Sequence, residues 1–193
     1  MTAGKRLFVI EARVRDVDLK FETGPGLFSP KWLDAGSLAM LQRVAFEPSD
    51  RVLDLGCGYG LVGVLAARLI GPERVVLSDI DPEAVAAAKA NLVLNGVTGA
   101  LCVVSDGFKS LRESGFTQII CHPPYHSDFS VAKHLIEKGF NRLVVGGRMW
   151  MVTRRLDWYR NKLTAIFGGV KVHETDGYFV FEAEKRKATY AAR

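Results

Sequence analysis

The chain has 193 residues, of which 48% are hydrophobic and 24% charged, and carries a formal net charge of +5. That length supports one well-cored domain and leaves too little for two, and the composition excludes a disordered chain. No apolar run approaches the ~20 residues of a bilayer-crossing helix.

Taken in chain order, Phe8 to Phe21 alternates as a small β extension. The Gly24-Pro25-Gly26 loop follows, then a helix from about Ser37. From position 50 the pattern changes to short apolar runs alternating with helical stretches, the signature of β-α units feeding a parallel sheet. Arg51 to Leu55 reads as a buried strand, Leu61 to Ile70 as a helix and Arg74 to Ser78 as the next strand. A further helix starts at Asp81 as N-cap with Pro82 at its first position, and stops at Asn95-Gly96. Strands are expected at Leu101 to Val104, Gln118 to Cys121 and Arg148 to Thr153, with helices at Phe129 to Lys138 and Asp157 to Phe167. Lys171 to His173 and Tyr178 to Glu182 flank Asp176-Gly177, a strong hairpin-turn pair. The whole is read as a single domain: an extension at 1–49, a Rossmann-like α/β core at 50–184 and a basic tail at 185–193.

Charge is uneven. From Arg142 to Arg193 there are eleven Lys/Arg against five Asp/Glu. A basic half steers polyanions such as RNA, although an ordinary solvated surface gives the same count. The three cysteines (Cys57, Cys102, Cys121) lack metal-like pair spacing and suit free thiols. Leu7-Phe8-Val9-Ile10 is too short for a signal-peptide core, so the expected location is the cytoplasm.

The strongest local feature is Asp54-Leu55-Gly56-Cys57-Gly58-Tyr59-Gly60 between a strand and a helix. Alternating glycines let the backbone turn sharply and approach a ligand closely. A dinucleotide pattern would need glycine at position 61, where Leu61 stands. Asp54 suits a cationic methionine head better than a pyrophosphate, which favours S-adenosylmethionine as the ligand. Asp79, closing the second strand, stands where nucleoside-binding folds place the acid that takes the ribose hydroxyls. Asp106 lies where an adenine amine would be accepted, and serves equally as a turn residue.

Cys121-His122-Pro123-Pro124-Tyr125-His126 follows a buried strand. Two prolines make a rigid, extended loop at the carboxyl end of the sheet, where open α/β sheets keep their sites. Tyr125 offers a stacking platform, and a carbonyl beside it accepts from an exocyclic amine. His122 and His126 are not read as metal ligands, because the prolines between them forbid the helix that would align them. No metal site is expected.

These residues together resemble the methyltransferase small-domain family, typified by bacterial small-subunit rRNA guanine-N2 methyltransferases and their standalone single-domain relatives. The resemblance runs from about Phe21 to Glu182 and rests on five segments. They are Gly26-Leu27-Phe28-Ser29 with Leu33-Asp34-Ala35-Gly36-Ser37, DLGCGYG at 54–60, SDIDPEAV at 78–85, Asn95-Gly96 and the Pro-Pro-Tyr at 123–125. It implies a class I S-adenosylmethionine-dependent methyltransferase fold: a doubly wound sheet, mostly parallel, ending in an antiparallel hairpin. It also implies that Phe28, Asp34 and Gly36 help cover the cofactor alongside Asp54, Gly56, Gly58, Gly60, Asp79 and Asp106. The implied activity is methyl transfer to an exocyclic amine, usually guanine in ribosomal RNA, with His122, Pro123, Pro124 and Tyr125 at the reacting centre.

One position departs from the family. Its motif is Asn-Pro-Pro-Tyr/Phe, and this chain has His122 in place of the asparagine. An asparagine oxygen always accepts, whereas a histidine accepts only when neutral. Neutral His122 is expected to accept from the substrate amine, so activity should fall as the ring takes up a second proton. Changed substrate and lost catalysis are the other two readings of the replacement.

For target recognition, Leu156, Tyr159, Leu163 and Ile166 form one apolar stripe, and Arg155, Trp158 and Lys162 are expected on the opposite face. An aromatic between cations suits RNA, and the alternative packs Trp158 beneath the N-terminal extension. Ribosomal RNA or the small subunit is the expected partner, and a homodimer is one way to enlarge the recognition surface. A metabolite or protein-amide methyltransferase and a noncatalytic nucleoside- or RNA-binding module are the competing functions.

Overall fold

The computed structural model describes residues 7–124 and 128–190 and organises them around a seven-stranded sheet and a separate two-stranded one. Strands β1 (Phe8–Val14) and β2 (Val17–Thr23) form the N-terminal hairpin, followed by helix α1 (Ala35–Leu41). The core then runs β3 (Val52–Leu55), α2 (Leu61–Ile70), β4 (Val75–Asp79), α3 (Pro82–Leu94), β5 (Leu101–Val104) and β6 (Phe116–Cys121). It continues with α4 (Phe129–Arg142), β7 (Leu143–Thr153), α5 (Leu156–Phe167), β8 (Lys171–Thr175) and β9 (Tyr178–Glu184).

The spatial order is β5-β4-β3-β6-β7-β9-β8. All pairs from β5 to β7 are parallel, and β9 pairs antiparallel with both β7 and β8. This is the doubly wound, mostly parallel sheet with a C-terminal antiparallel hairpin expected from the sequence. The chain winds outward from β3 through β4 to β5, then returns to lay β6 against the other edge of β3. The crevice between β3 and β6 is therefore the switch point of the sheet, where loops leave in opposite directions and open a cleft.

Period-two alternation assigns the strand residues to two cores. Val52, Ile120, Trp150, Val152 and Val180 face one side with the hairpin, α1 and α2. Leu53, Ile119, Met149, Met151 and Phe181 face the other with α4 and α5.

The N-terminal hairpin is tied down by α3. Asn91 exchanges two hydrogen bonds with the Glu22 backbone at 2.8 and 3.0 Å. One turn later, Asn95 does the same with Lys20 at 3.0 and 2.7 Å. Four helical residues rise ~6 Å and two strand residues ~6.8 Å, so the pair of amides serves the open edge of β2 as a third strand would. The signal was visible only as a helix stop, because nothing local says which strand the amides meet.

Several boundaries moved. Asp34 caps α1 by accepting from Ser37 N at 2.6 Å, so this helix begins ahead of Ser37. β7 starts at Leu143, five residues before the expected Arg148, and passes an irregularity where β6 and β7 shift register. The tail is not loose from its first residue. Lys185 is buried, pairs with the Gly147 backbone, and donates its Nζ to the Leu143 carbonyl at 2.8 Å over the Phe140 ring. Burial pushes the Lys185 amine below its ordinary value. Tyr190 also packs edge-on against Phe140. Among the described residues no helix is long and apolar enough to cross a membrane.

Candidate functional site

A cavity of about 670 Å³ opens at the carboxyl ends of β3, β4 and β6, over the switch point. Its size is that of a small-molecule site. One wall comes from the glycine-rich loop, Asp79 and Asp106, and the other from Phe28, Asp34 and His122.

On the first wall the loop after β3 hangs from the end of β4. Gly56 and Cys57 donate their N–H groups to the Ser78 carbonyl at 2.8 and 2.9 Å, and Gly58 N donates to Asp79 Oδ2 at 2.9 Å. The turn requires left-handed backbone at Gly56 (φ 77°), Gly58 (φ 53°) and Gly60 (φ 97°), which explains the spacing. Gly56 and Gly58 line the cavity; Gly60 does not. A Cβ on Gly60 would sit 3.2 Å from Ala88, so glycine here serves the junction of α2 with α3.

Asp54 is wholly buried at the base of the cavity and accepts from Gly63 N at 2.8 Å. Burial, with the negative charge of Asp79 nearby, pushes its carboxyl up to about 7 despite that hydrogen bond. A cation in the cavity would reverse the shift. Asp79 accepts from Gly58 N through one oxygen and from Asp81 N through the other, at 2.9 and 3.0 Å. The carboxylate is thus held rigidly with acceptor capacity left on both oxygens, the arrangement a ribose diol needs. Asp81 is the helix cap, accepting from Glu83 N at 2.8 Å. Asp106 lines the cavity, pairs with Lys109 at 2.5 Å and closes a turn through its carbonyl, which accepts from Lys109 N.

Among the described residues, two buried polar atoms on the same walls have no hydrogen-bond partner: the Tyr59 hydroxyl and Ser78 Oγ. Such orphans are rare and costly unless a ligand or water completes them. A nucleoside bearing a cationic amino-acid arm fits this set. It would offer acceptors and donors to the orphans, hydroxyls to Asp79 and positive charge to Asp54.

The second wall is built around His122. Its Nδ1 lies 2.9 Å from Asp34 Oδ2 and 3.1 Å from Ser37 Oγ, and both the imidazole and the carboxylate are about nine-tenths buried. Burial raises the Asp34 carboxyl, but hydrogen bonds from His122 and Ser37 and the His122 charge outweigh it, and the net shift is downward. Phe28 meets the imidazole edge-on with ring centroids 5.5 Å apart. Pro123 is buried and Pro124 exposed, both on the cavity wall. Tyr125 and His126 lie outside the described residues.

Two of the expected cofactor residues meet other partners here. Asp34 borders the cavity, yet its carboxylate is engaged with Ser37 and His122. Gly36 is not in the wall at all: a Cβ there would stand 2.7 Å from the Tyr178 ring and 2.9 Å from His122 Cε1. Glycine is required so that α1 can press against these two rings.

The proposed recognition helix also differs. Trp158 is not solvent-side but stacks on Phe129 of α4, with centroids 4.5 Å apart and planes 20° apart. Arg155 lies over the same Phe129 ring at 5.0 Å, and Lys162 pairs with Glu137 at 2.5 Å. The three residues thus share the flank facing α4, because α4 packs beside α5 and extends its apolar contact past the stripe. Among the described residues the ring partners of Trp158 are Phe129 and Tyr159, on α4 and α5.

Sequence reasoning missed Ser37, Gly63, Tyr59 and Tyr178. A glycine inside α2 was the available signal for Gly63, since mid-helix glycine costs ~1 kcal/mol and implies a close approach. Tyr178 gave none. Among the described residues no group of three or more His, Cys, Asp or Glu is placed to hold a metal ion.

The geometry agrees with known proteins. Residues 18–182 match the family model described as methyltransferase small domain. The ribosomal RNA small subunit methyltransferase C of Serratia proteamaculans is 32% identical over 181 residues, covering 91% of this chain and 52% of that protein. Its counterpart from Cronobacter sakazakii is 34% identical over 166 residues, covering 84% and 48%. The chain therefore spans about half the length of the curated relatives it matches. A Thermus thermophilus 16S rRNA N2 G1207 methyltransferase, solved with AdoMet and guanosine, superposes with a TM-score of 0.84 at 29% identity, covering 92% of this chain and 50% of that one. A Pyrococcus furiosus methyltransferase, 18% identical with a TM-score of 0.72 and covering 86% and 89%, shares the fold. With its class I methyltransferase sheet and a family match across most of its length, this chain belongs to the methyltransferase small-domain family.

Proposed function

We propose that this chain is an S-adenosylmethionine-dependent N-methyltransferase whose acceptor is an exocyclic amine, guanine N2 of small-subunit ribosomal RNA. The observation that carries this reading is the cavity itself, where a nucleoside-binding wall and a rigid His-Pro-Pro loop meet at the switch point. The similarity to the rRNA enzymes supports the choice of acceptor.

When bound, S-adenosylmethionine supplies an electrophilic methyl group on a sulfonium. Asp79 holds the ribose hydroxyls, Asp54 faces the cationic end and Asp106 accepts from the adenine amine. Phe28 covers the cavity mouth. Pro123 and Pro124 fix the loop after β6, Tyr125 stacks the flipped base, and His122 accepts from its amine. A base within a duplex cannot reach such a pocket, so the target is single-stranded or extruded. Catalysis then comes from alignment of the amine with the methyl carbon and from acceptors around it.

The RNA backbone is held by the basic C-terminal half. Arg155 contributes phosphate contact, while Trp158 and Lys162, committed to Phe129 and Glu137, contribute less. A second copy of the chain or the preassembled subunit would supply further contact area.

Nucleoside analysis of RNA after incubation tests the acceptor. N2-methylguanosine in digests of unmethylated small-subunit RNA is the expected product. A methylated protein or metabolite with no modified nucleoside would overturn the RNA reading.

A further inference from the structure

The replacement of the family asparagine by His122 is matched by a second feature, the buried carboxylate of Asp34 on the ring's Nδ1. We propose that Asp34 and His122 form a proton-accepting dyad, in which Asp34 is the positioning residue and His122 Nε2 takes the amine proton. This rests on the N-methyltransferase reading and names the base of its reaction.

The geometry sets the tautomer. An ionised Asp34 accepts only, so the 2.9 Å contact requires hydrogen on His122 Nδ1. The Ser37 hydroxyl, 3.1 Å from the same nitrogen, shares that hydrogen as a second acceptor. In the neutral ring Nε2 is then the acceptor. The family's asparagine fixes an acceptor but cannot carry a proton away; this histidine does both.

Three elements maintain the arrangement. Asp34 is rigid because its Oδ2 also caps α1 through Ser37 N at 2.6 Å. Gly36 lets α1 approach so closely that a Cβ would collide with His122 and Tyr178. Tyr178 is in turn covered by Arg154, 4.6 Å over its ring and 3.2 Å from its hydroxyl. Among the described residues, the charged and titratable groups tied to this arrangement are Asp34 at Nδ1, Tyr178 with Arg154 over its ring, and Tyr59, whose hydroxyl burial and the Asp34 charge push upward. Asp54 and Asp79 occupy the far wall.

The step balances as follows. The amine nitrogen forms a bond to the methyl carbon while the carbon–sulfur bond breaks, its electron pair remaining on sulfur. The N–H proton passes to His122 Nε2, and the resulting imidazolium faces the Asp34 carboxylate until it loses the proton to water. General-base assistance of this kind contributes typically ~10²- to 10⁴-fold.

Asp34→Asn is the test variant, because asparagine caps helices as well as aspartate does and only the charge is lost. The expected result is a fall in kcat of about 10- to 100-fold with unchanged S-adenosylmethionine affinity. The acid limb of the rate profile should differ from the parent's, because the ring loses the charged partner on its Nδ1. His122→Asn should remove that limb, and the double variant should be no slower than His122→Asn alone. Nitrogen-15 NMR of histidine-labelled protein, assigned with His122→Asn, should show hydrogen on Nδ1 in the neutral ring. Hydrogen on Nε2, or an Asp34→Asn profile identical to the parent, would overturn the dyad. If no variant methylates RNA, the acceptor reading fails separately, and the NMR tautomer still decides whether the dyad exists.

Discussion

Between Asp54 and Asp81 every working group is held by neighbours from the same two β-α units: the loop glycines by Ser78 and Asp79, and Asp54 by Gly63. His122 is held differently, by Asp34 and by Ser37, which stands 85 positions away in the chain. The first wall is a local device that any chain with the right turn can build. The second exists only after the N-terminal segment has docked onto the sheet. The difference teaches that donor binding and acceptor chemistry can be damaged separately, which makes the comparison testable.

The largest effect belongs to Asp54. Its folded carboxyl, raised to about 7, binds a proton that the unfolded chain has already released near its ordinary value of about 3.9. The free protein should therefore lose stability as pH rises from about 4 to about 7, by a few kcal/mol in all. Asp54→Asn should flatten this decline in denaturation curves. Binding of a cationic donor should release a proton, seen by calorimetry in buffers of different ionisation enthalpy. A pH-flat stability curve for the parent would remove Asp54 from the donor wall's electrostatics.

Next is Asp79→Ala, which removes the proposed acceptor of the ribose and the anchor of Gly58. About 100-fold weaker donor binding is expected by calorimetry, with the remaining fold intact. Gly36→Ala should separate the walls in the opposite sense. Its methyl group meets two rings, so a loss of about 1–3 kcal/mol in stability is expected, and a slower rate with donor affinity preserved. Weaker donor binding in that variant would return Gly36 to the cofactor pocket. The smallest effects concern α5. Arg155→Ala should weaken RNA binding a few-fold and lower its salt slope by about one, while Lys162→Ala should cost no more than ~1 kcal/mol of stability with its Glu137 pair.

Much of this was legible in the sequence because local rules govern it. Asp81-Pro82 announced α3, Asp176-Gly177 announced the β8–β9 hairpin, and the alternating glycines announced the turn after β3. Asp79 was found from its distance to that turn. What stayed hidden depends on contacts between distant segments. The contact of Asp34 with His122 could not be read from its own neighbourhood, although aspartate three residues before Ser37 is an N-cap signal. Gly36 and Gly60 stand in ligand-type motifs, and the structure adds a packing reason for each that no local pattern carries. Trp158 was misplaced because periodicity describes one helix and cannot see Phe129 arriving from another. The edge amides of Asn91 and Asn95 were invisible for the same reason.

The central claim is that the two walls cooperate to methylate a ribosomal RNA base. Its most direct test is transfer of tritiated methyl from S-adenosylmethionine to unmethylated small-subunit RNA and to assembled small subunits, followed by nuclease mapping. Label confined to N2 of a single guanine is the predicted result. Measurable donor binding with no label in either substrate would contradict it.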